Sequence, residues 1–443
     1  MACAPFFNAQ AHSPEDQMNV FRHSKIWASL LAVLAFCTAA TAQQSTPPAL
    51  ASAIATPSLR DALESAWQKH PFLRSEANRR AEIAGRKLQT QGLISAPPTL
   101  GLIHNTDLIG SNNGLRGLEA EFTAPLWNRS LRSATQSQIE RDEQRFVLAG
   151  QAAKLKLAGE LREVASKYSL ALADLTLAKR KAVEASVLAD DVARRVRAGD
   201  IARVDNLMAQ STVAQANAQI EAAQLELSAL QSQWQMLTAL NSAPPTLPVN
   251  FPPFVGVSAQ SMPSADTQNH PQLLEAQAVM AASQAKLNAT LADSRDPMEV
   301  GVSAARERSA RGNTAETSMK FSVRIPFGGA SRNDAKAAAV RAELDEAQSA
   351  LEAMQRQLQA ELATAHAQSA AAQRQIVLAE QRAKIAAEAQ SLYAKSFRLG
   401  ETDLVTRLRA DNEKFDADLA LSRAQLQLQR AQSQMQHSLG LLP

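Results

Sequence analysis

The sequence predicts a mainly helical protein with a small β part, in which one structural unit is present twice. The first observation behind this fold class is that short signatures recur in the same order about two hundred residues apart. The recurring pairs are His70-Pro71 and His270-Pro271, Gly101 and Gly301, Gly199 and Gly400, and Gln231–Gln235 and Gln432–Gln436. Matches that keep both order and spacing indicate a tandem duplication.

The second observation is the composition of the long tracts between these signatures. Aromatic residues make up only 4% of the chain, and no proline occurs between Pro125 and Pro244 or between Pro326 and Pro443. Alanine, glutamine, leucine, arginine and glutamate dominate these tracts, a mixture that favours long helices. Apolar residues also follow coiled-coil spacing, at Leu344, Ala347, Leu351, Met354 and Leu358 and at Ile220, Leu227, Leu230, Trp234 and Leu237.

The third observation is strict alternation of apolar and polar residues in two short segments, Leu118–Ala124 and Met319–Ile325. Period two predicts strands with Leu118, Ala120 and Phe122 on one face and Glu119, Glu121 and Thr123 on the other. The expected partner strands are Thr99–Thr106 and Met298–Arg306, joined to them by the loops Asp107–Gly117 and Glu307–Ala315.

In each unit a helix follows the His-Pro step, because proline is tolerated in the first helical turn, and in the first unit a short helix precedes that step. We predict a short helix at Leu59–Lys69 and longer ones at Phe72–Leu93 and Gln272–Ser294. A helix at Asn128–Ala198 would be on the order of 100 Å long at 1.5 Å per residue. Gly199-Asp200 divides this long tract, and Gly400-Glu401 divides its counterpart, so that each tract predicts a helical hairpin.

The N-terminus resembles an export signal. A short basic stretch precedes the apolar run Ile26–Phe36, and Ala40-Thr41-Ala42 then provides a cleavage site. We therefore predict residues 1–42 to be a signal peptide, with Met18 as the true start. An uncleaved membrane anchor is the alternative, but the apolar run is short for a membrane span.

These boundaries give the expected domain organisation. The predicted segments are a signal peptide (1–42), an N-terminal linker (43–58), a first repeat (59–243), a proline-rich linker (244–263) and a second repeat (264–443). Both cysteines, Cys3 and Cys37, lie in the removable segment, so the mature chain needs no disulfide.

Composition and motifs favour neither nucleic-acid binding nor catalysis. The 443 residues include 46 basic and 43 acidic ones without a dense basic block, which gives little electrostatic support for nucleic-acid binding. No P-loop, no dinucleotide-binding glycine motif and no nucleophile elbow occurs. The mature chain keeps five scattered histidines, His70, His104, His270, His366 and His437. We therefore predict no catalytic residue, no cofactor and no metal site.

Four strands are too few to close a membrane barrel, for which eight is the smallest number. If the strands lie in lipid, every edge must be paired, so several chains must combine their strands. Two chains would give eight strands and three would give twelve. Polar residues on one face, Glu119, Glu121, Lys320 and Arg324, are better explained by the water-filled lumen that twelve strands allow.

The mature chain resembles the TolC family of outer-membrane efflux proteins, whose duplicated plan is helix, strand pair and long helical hairpin. The segments Arg197–Gln210 and Phe397–Asp411 resemble the family's hairpin-turn motif. Gly301–Arg308 followed by Ile325–Ala330 is similar to the branch that exports heavy-metal cations of the cobalt-zinc-cadmium type.

The resemblance implies a homotrimer with a twelve-stranded β-barrel in the outer membrane of a Gram-negative bacterium and a long α-helical barrel in the periplasm. It also implies an inner-membrane efflux pump and a periplasmic adaptor (membrane fusion protein) as partners. The residues implied at the adaptor-docking and gate turns are Arg197, Gly199, Asp200, Arg398, Gly400 and Glu401. Asp205, Asp403 and Asp411 are candidate gate acids, although they would equally suit solvated helix ends.

The function implied is a passive exit duct for substrates, with heavy-metal cations as the first expectation, that a pump and its adaptor deliver. Alternatives are an outer-membrane channel for drug efflux or type I secretion, and a periplasmic coiled-coil scaffold without a barrel. A secreted hydrolase would need a convergent polar constellation in a packed core, and the sequence predicts neither.

Overall fold

The computed structural model describes residues 57–246, 268–327 and 333–443. It is mainly helical and contains one four-stranded sheet. The helices are α1 (Leu59–Lys69), α2 (Pro71–Gln91), α3 (Arg129–Ala198), α4 (Arg203–Thr238), α5 (Pro271–Ala292), α6 (Asp334–Arg398) and α7 (Leu404–Ser438). The strands are β1 (Thr99–Thr106), β2 (Arg116–Leu126), β3 (Met298–Arg308) and β4 (Glu316–Arg324).

The helix entries have local causes in the sequence. Ser58 and Asp61 form a capping box that starts α1, since each side chain accepts a hydrogen bond from the other's backbone N–H. Pro71 and Pro271 occupy the first position of α2 and α5, one residue earlier than predicted. Asn128 caps α3 by accepting a hydrogen bond from the backbone N–H of Ser130.

The two helical hairpins form the body of the molecule. Helix α3 has 70 residues, or about 105 Å at 1.5 Å per residue, and packs along α4, α5 and α7, while α6 packs along α7. The core is thin and rich in alanine, with Trp234 fully buried against Leu161 and Leu63. Small residues at these seams let the helix backbones approach closely.

Ion pairs between α3 and α7 join the two hairpins. Arg430 forms a bidentate contact with Glu163, with distances of 2.6 and 3.1 Å, and Arg423 contacts Asp174 at 2.9 Å. Such exposed pairs contribute little stability individually but fix which faces of the hairpins meet.

The four strands form one antiparallel sheet in the order β1-β2-β3-β4. Strands β2 and β3, which belong to different repeats, pair along their whole length, from Arg116 opposite Arg308 to Leu126 opposite Met298. The duplication therefore places its two strand pairs side by side.

Strand β1 has its predicted bounds, whereas β2, β3 and β4 are longer than predicted. Strand β2 starts at Arg116, β3 ends at Arg308, and β4 runs from Glu316 to Arg324. The connecting loops are consequently shorter than predicted, at 107–115 and 309–315. The residues added at the loop end of the sheet are mostly charged or polar, so hydrophobic periodicity could not reveal them, whereas ladder hydrogen bonds do not require apolar side chains.

Most of the predicted connecting segments lie outside the described residues. This holds for the signal peptide (1–42), nearly all of the N-terminal linker (43–58) and most of the proline-rich linker (244–263). At the start of that linker, Pro244 is fully buried, and Ala243 packs against Tyr168, Ala171 and Leu230. The first residues after α4 therefore rest on the helical body.

Candidate channel-forming sheet and hairpin turns

The sheet has one apolar face, and this face is exposed. The cross-strand register places Leu102 beside Ala120, Leu100 beside Phe122, and Phe122 beside Val302, so their side chains share that face. Most of the large apolar residues on it are more than a third exposed, among them Leu100, Leu102, Leu118, Phe122, Val302, Met319, Phe321 and Val323. A continuous apolar surface of this kind indicates a binding partner or a lipid environment.

The opposite face is polar and carries its own network. Ser303 donates a hydrogen bond to Glu119 at 2.6 Å, and Lys320 lies 3.5 Å from the other carboxylate oxygen of Glu119. Arg324 pairs with Glu299 at 2.9 Å. The predicted polar set, Glu119, Glu121, Lys320 and Arg324, therefore lies on one face, as the alternation indicated.

Both outer strands of the sheet lack a neighbour on one side. Strand β1 pairs only with β2, and β4 pairs only with β3, within the part of the chain that the structure describes. Unpaired backbone N–H and C=O groups at such edges are costly away from water. Further strands beside β1 and β4 would pair the two open edges.

The first hairpin turn is closed by Gly199 at φ +82°, in the left-handed region that glycine adopts without a steric penalty. Its backbone N–H donates to the Val196 carbonyl at 3.1 Å, and the Asp200 N–H donates to the Arg195 carbonyl at 3.0 Å. This pattern satisfies the last carbonyls of α3. The predicted residues Arg197 and Asp200 are exposed at this turn.

The second hairpin turn has the same backbone arrangement. Gly400 lies at φ +77° and donates to the Phe397 carbonyl at 3.2 Å, while the Glu401 N–H donates to the Ser396 carbonyl at 3.0 Å. Ser396 also donates its hydroxyl to the Glu401 carboxylate at 3.2 Å. Arg398 is exposed beside this turn.

Arg195, which the sequence pattern does not reveal, connects the two turns. Its guanidinium donates to the carbonyls of Phe397 and Arg398, at 3.0 and 3.3 Å, and lies 4.9 Å from the centre of the Phe397 ring. Asp191 orients it through a 3.2 Å ion pair. The two turns are therefore held together by one side chain, above a small apolar cluster of Val192, Ala209, Phe397 and Leu404.

The three candidate gate acids have different environments. Asp403 is the N-cap of α7, and hydrogen bonding by Thr406 lowers the pKa of its carboxyl. Asp411 accepts hydrogen bonds from Gln390 at 2.8 Å and Arg407 at 2.9 Å, which ties α6 to α7. Asp205 lies in the first turn of α4, where the helix dipole favours an acid. The structure thus gives Asp403 and Asp411 roles within the chain.

A buried basic cluster lies where α3, α5 and the end of α7 meet. Arg162 is only 4% exposed, donates to the Leu441 carbonyl at 2.9 Å, and burial lowers its pKa to about 10. Burial likewise lowers the pKa of His270 and of His437, whose charge is further disfavoured by Arg162. Glu361 of α6 is the acid that acts on the pKa of both histidines in the opposite direction.

Residues 57–246, 268–327 and 333–443 contain no group of three or more His, Cys, Asp or Glu side chains placed to hold a metal ion. Within the same residues, no helix combines the length and the apolar character that crossing a membrane requires.

Residues 262–441, which include almost all of the second repeat, match the family described as outer membrane efflux protein. No curated protein sequence matches the chain. The sequence match therefore concerns the second repeat, while the first repeat resembles that repeat in its order of elements.

Several solved structures share the fold along most of the chain. CusC, studied for transmembrane channel formation, has 16% identity and a TM-score of 0.71, covering 86% of this chain and 92% of its own. The outer-membrane channel OprN has 18% identity and a TM-score of 0.71, covering 86% and 89%. The outer membrane protein VceC from Vibrio cholerae has 16% identity and a TM-score of 0.66, covering 86% and 96%.

At such identities the likeness to these structures shows the fold. The family match and the shared fold together support the predicted resemblance to outer-membrane efflux proteins of the TolC type. They agree with the predicted outer-membrane localisation as well, since the family and two of these structures are described by it.

Proposed function

We propose that the chain is one subunit of an outer-membrane efflux channel and serves as a passive exit duct. The observation that carries this proposal is the sheet, whose large apolar face is exposed while both of its outer strands lack a partner among the described residues. In a bilayer such a sheet is stable only when it closes into a barrel with other copies.

Three copies fit the sheet better than two. Twelve strands leave an aqueous lumen, whereas eight leave an interior filled by side chains. The inward face would carry ion pairs such as Lys320–Glu119 and Arg324–Glu299, and charged groups of this kind are stable in a hydrated lumen. The long hairpins join the strands at the end opposite to the loops 107–115 and 309–315. They would continue the duct into the periplasm as an α-helical barrel.

The turns at the far end of the hairpins are proposed to meet the periplasmic adaptor and to form the gate. Arg197, Arg398 and Glu401 are exposed there, while Gly199 and Gly400 shape the backbone that presents them. The adaptor would connect this end to an inner-membrane pump. Arg195 would hold the two turns of each subunit together, because its guanidinium donates to two carbonyls of the second turn.

Heavy-metal cations are the proposed cargo. The resemblance of Gly301–Arg308 to the cation-efflux branch supports this, and so does the charge of the polar face. That face carries five acids, Glu119, Glu121, Glu299, Glu307 and Glu316, against the two bases Lys320 and Arg324. An excess of acidic groups along a lumen favours cations over anions.

The proposal is tested with the processed protein purified in detergent and inserted into planar bilayers. A trimer that conducts ions is expected, with the reversal potential in a salt gradient showing cation preference. Replacing Glu121 and Glu307 by glutamine should reduce that preference, whereas replacing the exposed helix residues Glu346 and Glu352 should not. A water-soluble monomer that neither inserts nor conducts would overturn the proposal.

Cargo is tested separately in cells that lack their own outer-membrane channel. Expression together with a cation pump and its adaptor should restore growth on zinc or cobalt. Restored resistance to drugs with a multidrug pump, and no restored metal tolerance, would show that the cation branch is wrong while the channel stands.

A further inference from the structure

The apolar face of the sheet carries charge at one end only. Its charged residues, among the described strands, are Arg116, Arg306 and Arg308. Arg116 lies directly opposite Arg308, and Arg306 lies opposite Leu118. No acidic residue of these strands shares this face, which further along contains Leu100, Leu102, Ala120, Phe122, Val302, Met319 and Phe321.

This group of three arginines, here termed the arginine rim, lies at the loop end of the sheet. The connections 107–115 and 309–315 leave the strands there, whereas the helices join the strands at the opposite end. If the helices extend into the periplasm, the arginine rim faces the outer surface of the membrane.

The rim arginines lack protein counter-ions. Arg116 and Arg306 are exposed, and no acid of the described residues pairs with either. Arg308 approaches only the Gly114 carbonyl, at 3.5 Å, and its Nε has no partner there. The basic residues of the polar face differ, since Lys320 and Arg324 each pair with a glutamate.

Placing two arginines directly opposite each other on neighbouring strands is unfavourable. An anion between Arg116 and Arg308 would remove this repulsion, and guanidinium groups bind phosphate with two parallel hydrogen bonds. Exposed apolar residues begin directly beside the rim, with Leu118 at 58% and Met319 at 68% exposure. A ligand that covers both surfaces must carry an anionic group on an apolar body, and phosphate on a lipid meets both conditions.

We propose that the arginine rim binds the phosphate groups of an anionic glycolipid in the outer leaflet. This inference rests on the proposed membrane barrel, and it assigns the rim a ligand that the efflux function does not require. A trimer would present nine such arginines around its circumference, so that the bound lipid would form a ring at this depth.

The test uses the full trimer reconstituted in nanodiscs of phosphatidylcholine, with or without lipopolysaccharide. Lipopolysaccharide that remains after detergent extraction and repurification is quantified through its sugar, which phosphatidylcholine lacks. Wild type should retain lipopolysaccharide, and the double variant Arg116→Gln/Arg306→Gln should retain about tenfold less. The matched control Lys320→Gln/Arg324→Gln removes the same charge from the opposite face and should retain as much as wild type.

A second measurement with inorganic phosphate distinguishes binding of a lipid from binding of a free anion. Lipopolysaccharide should raise the thermal stability of the trimer, and inorganic phosphate alone should not. Equal stabilisation by inorganic phosphate, or equal lipid retention by the rim and control variants, would overturn the inference. A trimer that conducts in phosphatidylcholine but retains no lipopolysaccharide would overturn only the proposed lipid binding by the arginine rim. Failure to insert in either bilayer would overturn both the proposed channel function and the proposed lipid binding.

Discussion

The two hairpin turns have the same backbone conformation but differ in the side chains that stabilise them. Gly199 and Gly400 both adopt the left-handed conformation and end their helices with equivalent hydrogen bonds. Only the first repeat supplies Arg195, and Ser396 is in the equivalent position of the second. Only the second repeat caps its outgoing helix, with Asp403, where the first has Ala202.

This difference shows that the two repeats kept the backbone conformation of the turns, whereas the side chains around the turns diverged. The glycines and their turns remain because helix reversal depends on the backbone conformation. The side chains diverged because the two turns pack against each other, so one long arginine from either repeat is enough to join them. A contact between the copies has no reason to be present twice.

The largest effect is expected for Arg195→Ala. The substitution removes two hydrogen bonds to the second turn, the contact with the Phe397 ring and the ion pair with Asp191. Hydrogen bonds from a charged, mostly covered group contribute about 2 kcal/mol, so the free energy of local opening should fall by that order. Hydrogen exchange at Gly400 and Glu401 should accelerate accordingly.

Arg194→Ala is the matched control. Arg194 is adjacent, is 63% exposed, and pairs with the same Asp191 at 3.1 Å, so its loss removes one charge without separating the turns. Equal exchange in the two variants would show that Arg195 does not join the turns. If the turns form the gate, Arg195→Ala should also raise single-channel open probability relative to Arg194→Ala.

A second contrast between the repeats concerns the histidines before α2 and α5. His70 caps its helix by accepting a hydrogen bond from the Phe72 N–H at 3.2 Å. His270 makes no such cap and is instead buried, at 2% exposure, beside His437. Gly440 is left-handed and so close that a Cβ there would lie 3.0 Å from the His270 ring.

This burial predicts a dependence of stability on pH. The folded-state pKa of His270 and of His437 lies below the ordinary value of 6.5, so the unfolded chain binds more protons as the pH falls. Stability is then fully present above about pH 6.5 and decreases below it, and each tenfold difference in proton affinity between the two states corresponds to about 1.4 kcal/mol. Arg162 opposes protonation of His437, and Glu361 favours it.

The melting temperature of the purified protein between pH 7.5 and 5.5 checks this expectation. Wild type should melt at lower temperature as the pH falls, and His270→Gln should show a smaller decrease over the same range. His70→Gln, which changes the equivalent residue of the first repeat, should keep the wild-type decrease. The same decrease in both variants would mean that the buried histidine is not responsible.

The features that could be predicted from the sequence are those that local backbone geometry determines. The hairpins, their turns and the two faces of the sheet were predictable because proline, glycine and apolar spacing report on that geometry. Arg195 was not predictable, because its partners lie about two hundred residues away and its equivalent is Ser396. The polar strand ends, such as Arg116 and Glu316, were missed since only their ladder partners define them.

The smallest effect is expected when the helix caps of the two turns are exchanged. Asp403 accepts a hydrogen bond from the Thr406 N–H at 3.0 Å, whereas Ala202 offers no such group to α4. Ala202→Asp should therefore stabilise the start of α4 by up to about 1 kcal/mol, and Asp403→Ala should loosen the start of α7.

Hydrogen exchange at Asp205 and Thr406, the third residue of each helix, compares the two caps directly. Protection should decrease at Thr406 in Asp403→Ala and increase at Asp205 in Ala202→Asp, because a carboxylate at the N-cap is a stronger acceptor for this N–H than the Ala202 carbonyl that now accepts it at 3.1 Å. Glu401→Ala, which removes a nearby acid that does not cap α7, is the control. No change at Thr406 in Asp403→Ala would show that the apolar cluster around Phe397 and Leu404 holds the second turn without its cap.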